Sequence, residues 1–163
     1  MRVDDDAVPF ELLSPSTTLA APDSVPQEAA LLSVCFHRGT TVESVHRPGA
    51  QAGVDAALGF FLGGPRPEEA ANGLSTAVFD PSIVLGARET GGIATVALSP
   101  TFTEAGAQVQ LDIIVELVCT LTAQPGVGQV AFELGGERVD APRGDGSLTD
   151  APVSREDYPQ LIS

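Results

Sequence analysis

The sequence predicts an α+β domain. The expected architecture is a two-layer sandwich with a mainly antiparallel sheet of about four to five strands and two helices on one face, in the order ββαββαβ. Three observations carry this. Short apolar or alternating runs end in Gly-containing turn signals, as hairpin strands do. Two longer stretches place apolar residues at helical spacing. The hairpins imply antiparallel pairing, so two amphipathic helices can cover one side of the sheet and leave the other toward water.

The elements follow in order. Leu31-Leu32-Ser33-Val34-Cys35-Phe36 is a short apolar run before Arg38-Gly39 and reads as a strand. Residues 40–45 are β-branched and alternating and read as its hairpin partner. Over 50–62, Val54, Leu58, Phe61 and Leu62 recur at helical spacing, and Gly63-Gly64-Pro65 stops the helix. Residues 67–73 suit one helical turn with Glu68 and Glu69 at its positive end. Residues 83–88 and 93–98 flank Glu89-Thr90-Gly91-Gly92 and read as a second hairpin. Leu111, Ile114, Val115, Val118 and Leu121 give the strongest helical stripe, with Gln108, Asp112 and Glu116 on a narrow polar face. Gln124-Pro125-Gly126 ends that helix. Residues 129–134 alternate, with Val130, Phe132 and Leu134 inward. Gly135-Gly136 then turns the chain into a short strand at Arg138-Val139, and the last 24 residues read as polar loop ending near Tyr158.

Before the domain lies an arm. Residues 1–29 hold four of the 13 Pro and a net charge of −5, so they read as a Pro-rich acidic tether, with 8–13 as an apolar knot suited to docking. The domain is expected over 30–158, with 159–163 as a C-terminal tail.

The 163 residues carry a net charge of −14, and all eight basic residues are Arg. Such a chain has no basic stripe for phosphates, which excludes a nucleic-acid binder and disfavours an anionic membrane surface. The acidity is spread as −5 over 1–29, −6 over 30–134 and −3 over 135–163, which favours solubility over a dedicated acidic tail.

Four stretches, in order, resemble the GerMN domain family of sporulation and germination proteins and actinobacterial envelope lipoproteins. Gly73-Leu74-Ser75-Thr76-Ala77 is similar to its G-L-x-T-A segment. Residues 92–99, GIATVALS, are similar to its G-V-A-T-V-D-L-S strand. Residues 118–127, VCTLTAQPGV, are similar to its V-Y-T-L-T-Q-F-P-G-V helix end, and 152–158, PVSREDY, to its terminal P-L-T-R-x-D-Y. Residues 8–13 resemble the arm after the lipidated Cys of single-domain members. Ala97, Cys119 and the Ala123-Gln124 pair depart from the family's Asp, Tyr and Gln-Phe. The resemblance implies a fold like that of small ring-building domains. It also implies an extracytoplasmic place, lipid-anchored through a segment upstream of 1. It implies no catalytic residue.

The residues themselves give the same answer on chemistry. His37 and His46 flank one hairpin with no G-x-S-x-G elbow, so they read as solvated or edge-strand side chains. Asp145-Gly146-Ser147-Leu148-Thr149-Asp150 lacks the spaced acids of a calcium loop and reads as a solvated turn. Glu68 and Glu69 are neighbours on a helix, do not face each other and read as a solvated helix start. The Gly pairs are turn chemistry without phosphate-loop spacing. Cys35 and Cys119 read as two half-buried thiols acting as small hydrophobes. A disulfide is the alternative, open if the compartment is oxidising and their Cα atoms approach within about 7 Å.

No catalytic, cofactor or metal residues are therefore assigned, and no cofactor is expected. The remaining candidate is the uncovered sheet face, read as Ser33, Cys35, His37, Gln129, Ala131 and Glu133. The expected function is a non-enzymatic interaction or assembly module of a bacterial envelope lipoprotein. Its partners would be envelope proteins, or a second copy of the chain, with membrane contact only through the lipid anchor. The alternative is a module binding a small envelope ligand, glycan or peptide.

Overall fold

A computed structural model describes residues 30–49 and 53–162. The expected tether at 1–29, its 8–13 knot and the first-helix residues 50–52 lie outside the described residues.

Strands β1 (Ala30–Arg38) and β2 (Thr41–Gly49) open the domain, followed by helices α1 (Val54–Leu62) and α2 (Pro67–Ala71). The two-residue β3 (Leu74–Ser75) pairs antiparallel with the end of β1, His37 opposite Ser75 and Arg38 opposite Leu74, giving a sheet in the order β2-β1-β3. A 3-10 turn at Pro81–Ile83 leads into the hairpin of β4 (Val84–Thr90) and β5 (Ile93–Leu98). Its turn residues Gly91 and Gly92 have φ 61° and 87°, a conformation that only Gly adopts without strain and that matches the twist of a tight hairpin. Helix α3 (Ala107–Thr122) then returns the chain to β6 (Gln129–Leu134), which continues through Gly135-Gly136 into β7 (Glu137–Arg138). These four strands form a second sheet, β4-β5-β6-β7. A small hairpin, β8 (Ala141–Pro142) and β9 (Leu148–Thr149), stands apart.

The α+β class is as expected, and most pairs are antiparallel, but two features differ from the single-sheet picture. The strands fall into separate sheets, and β5 pairs parallel with β6, Val96 opposite Phe132. A parallel pair needs a crossover of a dozen or more residues, which α3 supplies.

The core explains a second difference. Val34, Cys35 and Phe36 are all fully buried, so β1 is covered on both faces. Phe36 stacks on Phe61 of α1 at 6.0 Å, while Cys35 and His37 point at α3. A continuous apolar run is what a doubly covered strand requires, whereas an open face would have shown alternation.

The C-terminal residues are not a loose loop. Val153 forms an antiparallel bridge to Val130, Ile162 a parallel bridge to Val42, and the fully buried Tyr158 donates its hydroxyl to the Pro142 carbonyl at 2.7 Å. These anchors belong to no regular element, so no periodicity marks them. No helix among the described residues is long and apolar enough to cross a membrane.

Candidate functional site

Helix α3 is buried almost all round from Ile113 to Leu121. Its polar side chains must therefore find partners inside the protein. Glu116, placed by the sequence on the polar face with Gln108 and Asp112, is instead fully buried. One carboxylate oxygen accepts the Thr76 hydroxyl at 2.9 Å; the other accepts the Ala77 N–H at 2.8 Å and contacts Nδ1 of His37. The G-L-S-T-A segment thus has a physical meaning. Gly73 turns the chain at φ 99°, Leu74 enters the core, and Thr76 and Ala77 hold the buried carboxylate.

His37 is a correction to the solvated reading. Its ring is buried, with Nε2 3.7 Å from Asp112. Burial pulls its pKa down. The hydrogen bond to Glu116 and the charges of Glu116 and Asp112 outweigh burial, so the net shift is upward from 6.5.

One turn later, α3 covers the free edge of β1. The Cys35 N–H donates to the Thr120 hydroxyl at 2.9 Å, and the Gln124 amide donates to the Ser33 carbonyl at 2.9 Å. Two side chains thus stand in for a missing strand. Next to Thr120, Cys119 is joined to Cys35 by a disulfide, their Cα atoms 5.9 Å apart, which corrects the expectation of two thiols. The reason is orientation: Cys35 points at α3, not away from it.

The helix end is held by the terminal motif. Arg155 donates to the Cys119 carbonyl at 2.8 Å and to the Thr122 hydroxyl at 2.9 Å, placing a cation where the helix carbonyls converge. Asp157 accepts the Ser154 N–H at 2.9 Å and shapes the turn that aims Arg155.

Glu69 also has a partner, contrary to the solvated reading. It grips the buried Arg47 of β2 through two bonds of 2.6 Å, and the Arg47 guanidinium lies 5.9 Å from the centre of the Phe36 ring. That hydrogen-bonded pair lowers the Glu69 carboxyl from its usual value. His46 is exposed on β2. The carboxylate of Asp145 accepts the Ser147 N–H and hydroxyl at 2.9 and 2.6 Å, which lowers its pKa and closes the turn between β8 and β9. Among the described residues, no group of three or more His, Cys, Asp or Glu side chains is placed to hold a metal ion.

The six residues read as one open face are split. Cys35 and His37 lie under α3, and the Ser33 carbonyl is engaged by α3. Gln129, Ala131 and Glu133 lie on the other sheet, on the face away from the Val130 and Phe132 side chains. There they border residues of β4 and β5, Gln129 exposed, Glu133 half-buried and Ala131 buried. The register places Gly86 beside Ala97 and Glu133, Arg88 beside Thr95 and Ala131, and Thr90 beside Ile93 and Gln129. All but Ala131 are half-buried or exposed. Arg88 reaches across β5 to Glu133 at 2.9 Å. Ala97, where the family resemblance places an Asp, sits within this platform. A separate cleft of about 470 Å³ is lined by Arg143, Asp145, Glu156 and Asp157 among others, with Arg143 3.3 Å from Asp157.

Together these features define a small α+β domain built around one latched, buried helix, with a partly exposed sheet face on β4, β5 and β6. Residues 37–140 match the Germane family, described as "Sporulation and spore germination", and the chain belongs to that family. Its fold is similar to the tandem GerMN domains of the sporulation protein GerM from Bacillus subtilis, with a TM-score of 0.58 and 16% identity, covering 80% of this chain and 48% of that one. It is also similar to the first GerMN domain of the same protein, with a TM-score of 0.57 and 18% identity, covering 78% of this chain and 98% of that one. At these identities the likeness is one of fold. The chain spans about half the length of the tandem structure. No curated protein matches it.

Proposed function

We propose that this domain is a non-catalytic interaction module of an extracytoplasmic, lipid-anchored envelope protein with a sporulation or cell-envelope role. It docks a protein partner on the open face of β4, β5 and β6. The observation that carries this reading is the composition of that face. Gly86, Thr95 and Ala97 are small, partly accessible and lie on adjacent strands, so a partner can approach the sheet closely. A single ion pair, Arg88–Glu133, sits among them as a polar orienting group.

The non-catalytic part rests on how the polar interior is used. Both oxygens of Glu116 are committed to holding chain segments, and His37 is held between two carboxylates. Such groups position structure and are not free to move a proton to a substrate. The net charge of −14 favours a neutral or basic partner over an anionic wall polymer.

The test is site-specific photo-crosslinking in the native host, with the probe at Thr95 or Gln129 on the platform and at exposed Gln108 of α3 as control. Protein adducts from the platform positions and none from Gln108 support the reading. Equal yields at all three, or none at the platform, contradict it. A second reading, binding of a small glycan or peptide, draws on the 470 Å³ cleft at Arg143 and Asp157, where both charge signs are available to a polar ligand.

A further inference from the structure

Cys35 and Cys119 are the only cysteines of the chain, and they are joined although 84 residues separate them. Both are buried, with 0% and 1% of their surface exposed, which decides whether an external reagent can reach the sulfurs. The bond lies in the middle of the contact between β1 and α3. Glu116 meets His37 on one side of it, and Thr120 and Gln124 hold the β1 edge on the other. Exchange at a disulfide needs a thiolate to approach a sulfur directly, and apolar burial holds a thiol in its unreactive protonated form. Once α3 has settled on β1, the bond is therefore sheltered from exchange.

We infer that folding of this domain is completed by one enzymatic dithiol oxidation in an oxidising compartment, with the chain as substrate of a thiol–disulfide oxidase. One cysteine thiolate attacks the oxidase disulfide and forms a mixed disulfide, releasing one oxidase thiolate. The second cysteine thiolate then attacks the mixed disulfide at the chain's sulfur. This closes Cys35–Cys119 and frees the oxidase as a dithiol. Two electrons pass from the chain to the oxidase, and the two thiol protons end on the reduced oxidase. Two cysteines within these 163 residues allow one intramolecular pairing between them. Such a bond persists outside the reducing cytosol. The inference stands on the cysteine pair and is independent of the proposed docking face.

The test uses the full-length protein in its native host, quenched in acid and labelled with a maleimide polymer under denaturing conditions. The expected result at Cys35 and Cys119 is no label without prior reduction and one label on each after it. In cells depleted of their thiol–disulfide oxidase, doubly labelled chain should accumulate. Free thiols in the wild-type host, or full oxidation without the oxidase, would overturn the inference. The purified protein gives a second measurement, needed if Cys35→Ser or Cys119→Ser fails to accumulate. Native protein should resist a mild reductant at least about tenfold longer than denatured protein. The reduced chain should melt roughly 10–20 °C lower. Equal reduction rates with and without denaturant, or an unchanged melting temperature, would overturn the account of the bond as a sheltered clamp.

Discussion

The side chains of His37 and Glu116 meet in the interior between β1 and α3 although 79 residues separate them in the chain. Glu116 also holds the backbone just after β3, so this pair ties three parts of the fold together.

The pair makes stability depend on pH in a defined direction. The folded His37 value is raised above 6.5. Its contribution is thus complete below 6.5 and is lost as pH rises through the folded value. Urea midpoints measured from mildly acidic to mildly alkaline pH should fall across that window in the wild type. His37→Gln should remove this component of the slope; an identical slope in the variant would refute the assignment.

Removing the carboxylate should be more damaging than neutralising it. Glu116→Gln keeps an acceptor but turns an amide N–H2 toward existing donors, at a cost of about 1–3 kcal/mol. Glu116→Ala leaves His37 and the Ala77 N–H without this partner in a buried site and should cost about 3–5 kcal/mol. Chemical denaturation of both variants would show the order. A surface role for Glu116 would leave both near zero.

Arg155→Ala should cost about 1–2 kcal/mol, because the Cys119 carbonyl and Thr122 hydroxyl lose a charged donor at the helix end. Hydrogen exchange should rise in the last turn of α3 and leave β4 and β5 unchanged. Arg155→Lys should recover only part, since an ammonium lacks the guanidinium fork.

Glu69→Gln should loosen α2 from β2, because Arg47 is buried and loses its bidentate anion. A loss of about 1–3 kcal/mol is expected. Proteolysis near Pro67–Ala71 should quicken by a similar factor.

Much of this was legible in the residues. The 129–134 and 93–98 strands, the Gly91-Gly92 turn and the long apolar helix followed from periodicity and turn chemistry. The use of the polar residues did not. Glu116 lies on the face expected for water, and partners distant in sequence, His37, Thr76 and Ala77, make its burial tolerable. Tyr158 and Val153 are single anchors in an irregular chain, which spacing rules cannot reveal. Cys35 falls on an open face only if β1 is covered on one side. Its unbroken apolar run was the available signal that both sides are covered. Alternation puts Gln129, Ala131 and Glu133 on one side of β6, but their neighbours come from β4 and β5 through a register that only the pairing defines.

The central claim is that the face of β4, β5 and β6 docks a protein partner, and Ala97→Arg tests it most directly. The side chain points away from the core residues Val96 and Leu98, so the domain should fold with a melting temperature within a few degrees of wild type. The account expects the Thr95 photo-adduct to vanish in this background while the protein level stays normal. An undiminished adduct in a folded Ala97→Arg protein would contradict it.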